Sequence, residues 1–122
     1  MVNSIIDGIS VRLNEAFGDE YEIYSENVKQ GLKEPCFFVE HIITTNSPYL
    51  GSRAKRVYTF DIHYFGLDRA DLYATGEKMI DEMEYITLLN GDMLRGLNIS
   101  AEVIDDVLHF HIDYQMMLKK VV

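Results

Sequence analysis

LHFHIDYQMML, Leu108–Leu118, decides how this chain is read. Leu108, Phe110, Ile112, Tyr114, Met116 and Leu118 alternate with His109, His111, Asp113, Gln115 and Met117. Successive side chains of a strand point to opposite faces, so the run predicts a strand with one apolar face and one mostly polar face. VYTFDIHYF, Val57–Phe65, has the same grammar: Tyr58, Phe60, Ile62 and Tyr64 on one side, Val57, Thr59, Asp61 and His63 on the other. Two such ribbons present an apolar surface that must be covered. The chain carries two amphipathic stretches able to cover it.

The first lies at the start. Ile5, Ile6, Ile9, Leu13, Ala16 and Phe17 recur at helical spacing, with Asn3 or Ser4 placed to cap the helix and Gly18 to release it. The second follows Phe65. Gly66 ends the strand, Asp68 is placed as an N-cap, and Asp71 falls in the first turn, where the helix dipole favours negative charge. Leu72, Gly76, Met79, Ile80, Met83 and Thr87 trace one stripe, and Asn90-Gly91 marks the exit. Gly76 lowers helix propensity but lets the backbone lie close to a sheet.

Between these elements, Glu22–Ser25 reads as a short strand with Ile23 inward, and residues 27–35 as a polar connection ending in Pro35. Cys36–Thr45 is apolar on both faces in its first half, which predicts a strand near the centre of the sheet. The stretch TNSPYLGSRAKR predicts a long exposed loop at 45–56, joining two strands of a hairpin; loops of that length are more often functional or mobile than structural. Near the end, Met93-Leu94 reads as a short strand, Gly96 as a bend, Leu97–Ile104 as a strand and Asp105-Asp106 as a tight turn. The expectation is one α+β domain over residues 1–122. Its mainly antiparallel sheet of about five to six strands carries two helices packed on one face, in the order α-β-β-β-α-β-β-β.

The totals exclude several classes of function. A chain of 122 residues supports one hydrophobic core, and 48% apolar with 25% charged residues argues against disorder. A net charge of −9 disfavours a nucleic-acid-binding surface, which needs Lys and Arg to meet phosphates. One cysteine, Cys36, excludes an internal disulfide and fits a reducing compartment; within CFFV it reads as a small buried hydrophobe rather than a nucleophile. No apolar run approaches the ~20 residues that span a bilayer, and MVNSIIDGIS lacks the basic start of a signal peptide. There is no G-x-S-x-G, P-loop or dinucleotide fingerprint.

The sharpest chemical candidates are His109 and His111, which share a strand face about 7 Å apart. Asp113 follows on that face, and Asp61 with His63 would join it if the two ribbons pair. A zinc or iron site needs three converging protein ligands. The plainer reading is a polar sheet surface facing solvent or another subunit, and it is preferred: no catalytic, cofactor or metal residue is assigned, with His109, His111, Asp113 and His63 kept as the metal alternative. The paired acids Asp19-Glu20 and Asp105-Asp106 read as solvated turns. Met79, Met83, Met93, Met116 and Met117 read as core filler. Arg53, Lys55 and Arg56 are the only basic cluster, too few for nucleic acid but enough to meet an acidic neighbour, which on so acidic a chain suggests self-association. With Tyr49 and Leu50 they are the candidate partner contacts.

Ile5–Glu40 (IIDGISVRLNEAFGDEYEIYSENVKQGLKEPCFFVE) together with Val57–Phe65 resembles a family of phage tail terminator proteins. These are found in contractile-tailed phages, defective prophages and tail-like bacteriocins of Gram-positive bacteria. The similar features are a helix running into AFGDEYEIY, the Q-G-L-x-E-P-C-F-F segment, and the Y-x-F-D-I-H-Y-F strand. The resemblance implies a small α+β subunit that assembles as a hexameric ring on the head-proximal end of a tail tube. Such a ring ends tube polymerisation and presents the surface that joins tail to neck. It further implies contacts with its own copies, with the tail tube protein and with neck or sheath proteins. DNA would pass through without specific binding, no membrane is involved, and the particle would be assembled in the bacterial host cytoplasm. The family has no shared active-site motif, so the expectation is a structural virion protein and not an enzyme. Another head–tail joining (neck) protein is the nearest alternative, and a small metal-binding protein using His109 and His111 the more distant one.

Overall fold

The computed structural model describes residues 1–25 and 31–119. In chain order the elements are α1 (Val2–Phe17), β1 (Glu22–Ser25), β2 (Cys36–Pro48), β3 (Arg53–Phe65), α2 (Arg69–Glu82), β4 (Tyr85–Thr87), β5 (Met93–Ile104) and β6 (Val107–Lys119). The six strands form a sheet in the order β1-β2-β3-β6-β5-β4. Among the described residues only β1 and β2 run parallel; the other pairs are antiparallel. The element order and the α+β class match the expectation.

The two ribbons that announced the fold are its centre. β3 and β6 pair along their whole length, from Arg53 opposite Lys119 to Tyr64 opposite Leu108. Because the register keeps apolar opposite apolar, Tyr58, Phe60, Ile62 and Tyr64 stack against Tyr114, Ile112, Phe110 and Leu108, and all eight are buried. A slip of one residue would turn this set toward water, so burial of one face fixes the pairing. α1 packs on β1, β2 and β4, strands from both ends of the sheet, and α2 packs on β5 and β6. The sheet therefore curls around α1, whose Ile5, Ile9 and Leu13 are wholly buried. Close approach depends on two glycines. A Cβ on Gly8 would sit 3.2 Å from Leu88 and 3.3 Å from the Thr87 carbonyl; one on Gly76 would sit 3.2 Å from Leu108.

Helix ends follow the local chemistry in two of four cases. Gly18 closes α1 at φ 93°, its N–H bonded to the Asn14 carbonyl. Asp68 caps α2, its carboxylate accepting the Asp71 N–H at 2.8 Å, while Asp71 accepts the Leu67 N–H and the Tyr64 hydroxyl. α2 ends at Glu82 with Met83 as cap. The start of α1 differs from expectation: it begins at Val2, Met1 holds the cap position, and no side chain caps it, so Asn3 and Ser4 lie inside the first turn.

Several boundaries are corrected. Residues 45–56 are not a long loop. β2 continues to Pro48 and β3 starts at Arg53, so the two strands form an extended ribbon whose turn is only 49–52, with Gly51 at φ 66°. β2 is second from the sheet edge, not central, and a register irregularity between His41 and Ile43 marks where it leaves the core. The predicted helix stripe ending at Thr87 overruns: Tyr85–Thr87 is β4, and Ile80 is exposed. Met93 to Ile104 is one strand rather than two, with a bulge between Leu97 and Ser100 where Asn98 takes φ 53°. Met93 and Met117 are exposed, unlike the buried Met79 and Met83. Of the connection expected over 27–35, residues 31–35 are irregular and enter β2 through a cis Glu34–Pro35 bond, and residues 26–30 lie outside the described residues. Asp105 and Asp106 make the tight β5–β6 turn, both at positive φ.

Candidate functional site

Two surfaces carry the residues singled out by the sequence, and a third lies apart from them. The first is the sheet face opposite the helices. β3 contributes Thr59, Asp61 and His63, β6 contributes His109, His111 and Asp113, and cross-strand pairing sets His63 against His109 and Asp61 against His111. The four metal candidates do not come together as a set. The group that converges is Asp61, His63 and His109, whose ligand atoms all lie within 4.8 Å of one another. His63 Nε2 is 3.4 Å from the Asp61 carboxylate and His109 Nδ1 is 3.8 Å from it, while Glu40 lies 3.7 Å from His63. The two imidazole centroids are 4.4 Å apart. His111 and Asp113 belong to a different neighbourhood. Asp113 is held by the Thr59 hydroxyl at 2.7 Å and the Asn98 amide at 2.8 Å, which ties β3, β6 and the β5 bulge together. A carboxylate with both oxygens engaged in this way serves the sheet.

The second surface is the outer part of the β2–β3 ribbon, together with the end of β6 that pairs with it; we call it the arm. Its turn is closed by the Tyr49 N–H bonded to the Arg53 carbonyl at 2.9 Å. Leu50 at the tip is 80% exposed and Tyr49 is 54% exposed, an apolar end unusual on a polar ribbon. Alternation splits the basic residues between faces. Arg53 and Lys55 lie on one side, with Lys55 paired to Ser47 and Met117; Arg56 lies on the other, its Nε donating to the Asn46 side-chain Oδ1 at 3.1 Å. β6 adds Lys119, opposite Arg53. Four of the 11 Lys and Arg residues are therefore on the arm, and none of the 20 acidic residues lies between Thr45 and Tyr58.

The third surface was not anticipated. A groove of about 560 Å³ runs between α1, the end of α2, β4 and the start of β5. Val11, Leu89 and Met93 supply apolar lining, and Asp7, Glu15, Asp81 and Glu82 are acidic. Arg12, its one basic residue, is engaged: its guanidinium bonds the Glu82 carboxylate and carbonyl and lies 3.7 Å from Glu15. No spacing rule could have found this groove, because it joins residues from four elements.

Cys36 is buried, and burial pushes its thiol up, with the carboxylates of Glu34 and Glu22 adding to the effect. A thiol held protonated is a poor nucleophile. Among the described residues, no helix is long and apolar enough to cross a membrane.

The geometry comprises an open polar sheet face, an exposed ribbon and a lined groove. The model of a family described as phage tail terminator protein matches residues 4–122. The chain belongs to the phage tail terminator family. A comparison with curated proteins finds no match. Membership gives this terminator-family chain a structural role in the tail and in joining tail to head, as a component of the tail particle. Membership also implies contact with other tail or neck components.

Proposed function

We propose that this chain caps the head-proximal end of a tail tube as a hexameric ring, ends tube polymerisation and forms the surface that joins tail to neck. The observation that carries this reading is the family match over residues 4–122. The likeness of Ile5–Glu40 and Val57–Phe65 to proteins of contractile-tailed phages, prophages and tail-like bacteriocins supports a tail made in a Gram-positive host and assembled in its cytoplasm. The ring caps because it occupies the tube end and offers the next tube subunit no matching surface. Its partners are its own copies, the tube protein, and neck or sheath proteins. With a net charge of −9 per chain the ring repels the phosphate backbone, so DNA passes without adhering.

Tyr49, Leu50, Arg53, Lys55 and Arg56 are the partner contacts in this reading. An apolar tip flanked by cations can bury area at the centre of an interface and steer approach to an acidic patch. Replacing Arg53, Lys55 and Arg56 with Glu leaves the core untouched, because no member of the buried cluster changes. The expected result is an unchanged circular dichroism spectrum with loss of ring or tube attachment. Normal attachment by the folded triple variant would remove the arm from the account.

A second reading has its own observation. Zinc held at about 2.0–2.1 Å by nitrogen and oxygen places tetrahedral ligands roughly 3.4 Å apart, and Asp61 lies 3.4 Å from His63 and 3.8 Å from His109. Elemental analysis decides it. Stoichiometric metal that is lost in His109→Ala and kept in His111→Ala supports a metal-binding protein, and metal-free native protein retires the idea.

A further inference from the structure

We propose that the arm of one copy docks in the groove between α1 and β4 of the next, and that this contact closes the ring. The inference rests on the ring reading above and names the two surfaces that build it. Charge is the first argument. The arm carries Arg53, Lys55, Arg56 and Lys119 without an acidic neighbour between Thr45 and Tyr58. The groove carries Asp7, Glu15 and Asp81, all exposed, and its Arg12 is already engaged by Glu82 and Glu15. Oppositely charged surfaces on one acidic chain give copies a mutual preference and align their approach.

Apolar chemistry is the second argument. Leu50 is 80% exposed at the arm tip, while Leu89 and Met93 in the groove are 85% and 66% exposed. Bringing these side chains together removes from water the most exposed apolar groups of each surface. The groove volume of about 560 Å³ falls within the ~300–1,000 Å³ of clefts that enclose a ligand, enough for the tip side chains.

Topology is the third. The arm springs from β2 and β3, and the groove sits on β4 at the far edge of the sheet. No groove residue belongs to the arm, so the contact joins two different patches. Repeated with a rotation that divides the full turn, such a head-to-tail contact closes into a ring in which each chain uses one arm and one groove.

The test pairs cysteines at two exposed positions, Leu50→Cys with Leu89→Cys in one chain, where buried Cys36 stays silent. The protein is oxidised both as purified and on assembled tails. Covalent ladders that extend beyond dimers, absent from either single variant, are the expected result. Rings visible by microscopy but with no cross-link overturn the arm–groove contact and leave the ring reading standing. Cross-linking that stops at dimers, or dimers from Leu50→Cys alone, also overturns it. Tails whose ends carry no ring remove the ring reading itself. A second measurement uses charge: Arg53, Lys55 and Arg56 to Glu, or Asp7, Glu15 and Asp81 to Lys, each abolishes the ring, and the combined variant restores it. Failure of restoration when both parents fold contradicts the pairing.

Discussion

Tyr114→Phe tests how the second helix is locked to the sheet. Tyr114 is wholly buried on β6, and its hydroxyl donates to the carbonyl of Met83, the cap of α2, at 2.7 Å. One residue on, the Glu84 carbonyl accepts the Gly96 N–H of β5. Phenylalanine keeps the ring and its contact with Phe60, so the change isolates the hydroxyl. It leaves a buried carbonyl without its donor, a loss of about 1–3 kcal/mol. Urea unfolding followed by circular dichroism should show a lower midpoint at an unchanged slope, because the surface exposed on unfolding is the same. A loss below about 0.3 kcal/mol would refute the reasoning.

The same variant has a signature in alkali. Burial raises the ionisation of the Tyr114 phenol, and burial followed by the bond to Asp71 raises that of Tyr64. In the unfolded chain both ionise near pH 10. The folded state therefore holds protons that the unfolded state has released. This contribution to stability is complete below about pH 10 and is lost as pH rises toward the folded values, by roughly 1.4 kcal/mol per pH unit for each tyrosine. Removing the Tyr114 hydroxyl should lower the measured slope by roughly 1.4 kcal/mol per pH unit, and an unchanged slope would contradict the assignment.

Other perturbations read different parts of the fold. Gly96→Ala drives a methyl into the Ile112 side chain and to 3.3 Å from the Glu84 carbonyl, so a loss of about 1–3 kcal/mol is expected in thermal or urea unfolding. Asp106→Gly should instead stabilise by up to about 1 kcal/mol, because Asp106 sits at φ 61° in the β5–β6 turn and its ion pair with Arg69 is exposed. Asp68→Ala removes the α2 cap and should cost about 1 kcal/mol by the same assay.

How much could be read in advance follows from what makes a signal. β3 and β6 were legible because one face is buried, and burial imposes the alternation of Tyr58, Phe60, Ile62 and Tyr64 on the sequence. Where the ribbon leaves the core, from Thr45 to Arg56, the backbone ladder continues but nothing is buried deeply, so polar residues fill both faces and the strand reads as loop. β4 was hidden for the opposite reason: Met79, Met83 and Thr87 keep helical spacing across a helix end that is enforced from outside by Tyr114. The cap at Asp68 and the turn at Asp105-Asp106 were visible because they are local. The candidate site divides the same way. Pairing of β3 with β6 brought His63 and His109 together as expected, but Asp113 faces Thr59 and Asn98, partners no period reveals. The groove needs four elements at once and has no one-dimensional trace.

The most direct measurement is the length of tails made without this chain, taken by electron microscopy of particles from a strain in which its gene is deleted. Tubes of irregular, excessive length with no neck attached are the expected result, restored to uniform length when the chain is supplied. Tails of normal length joined to heads would contradict the central claim.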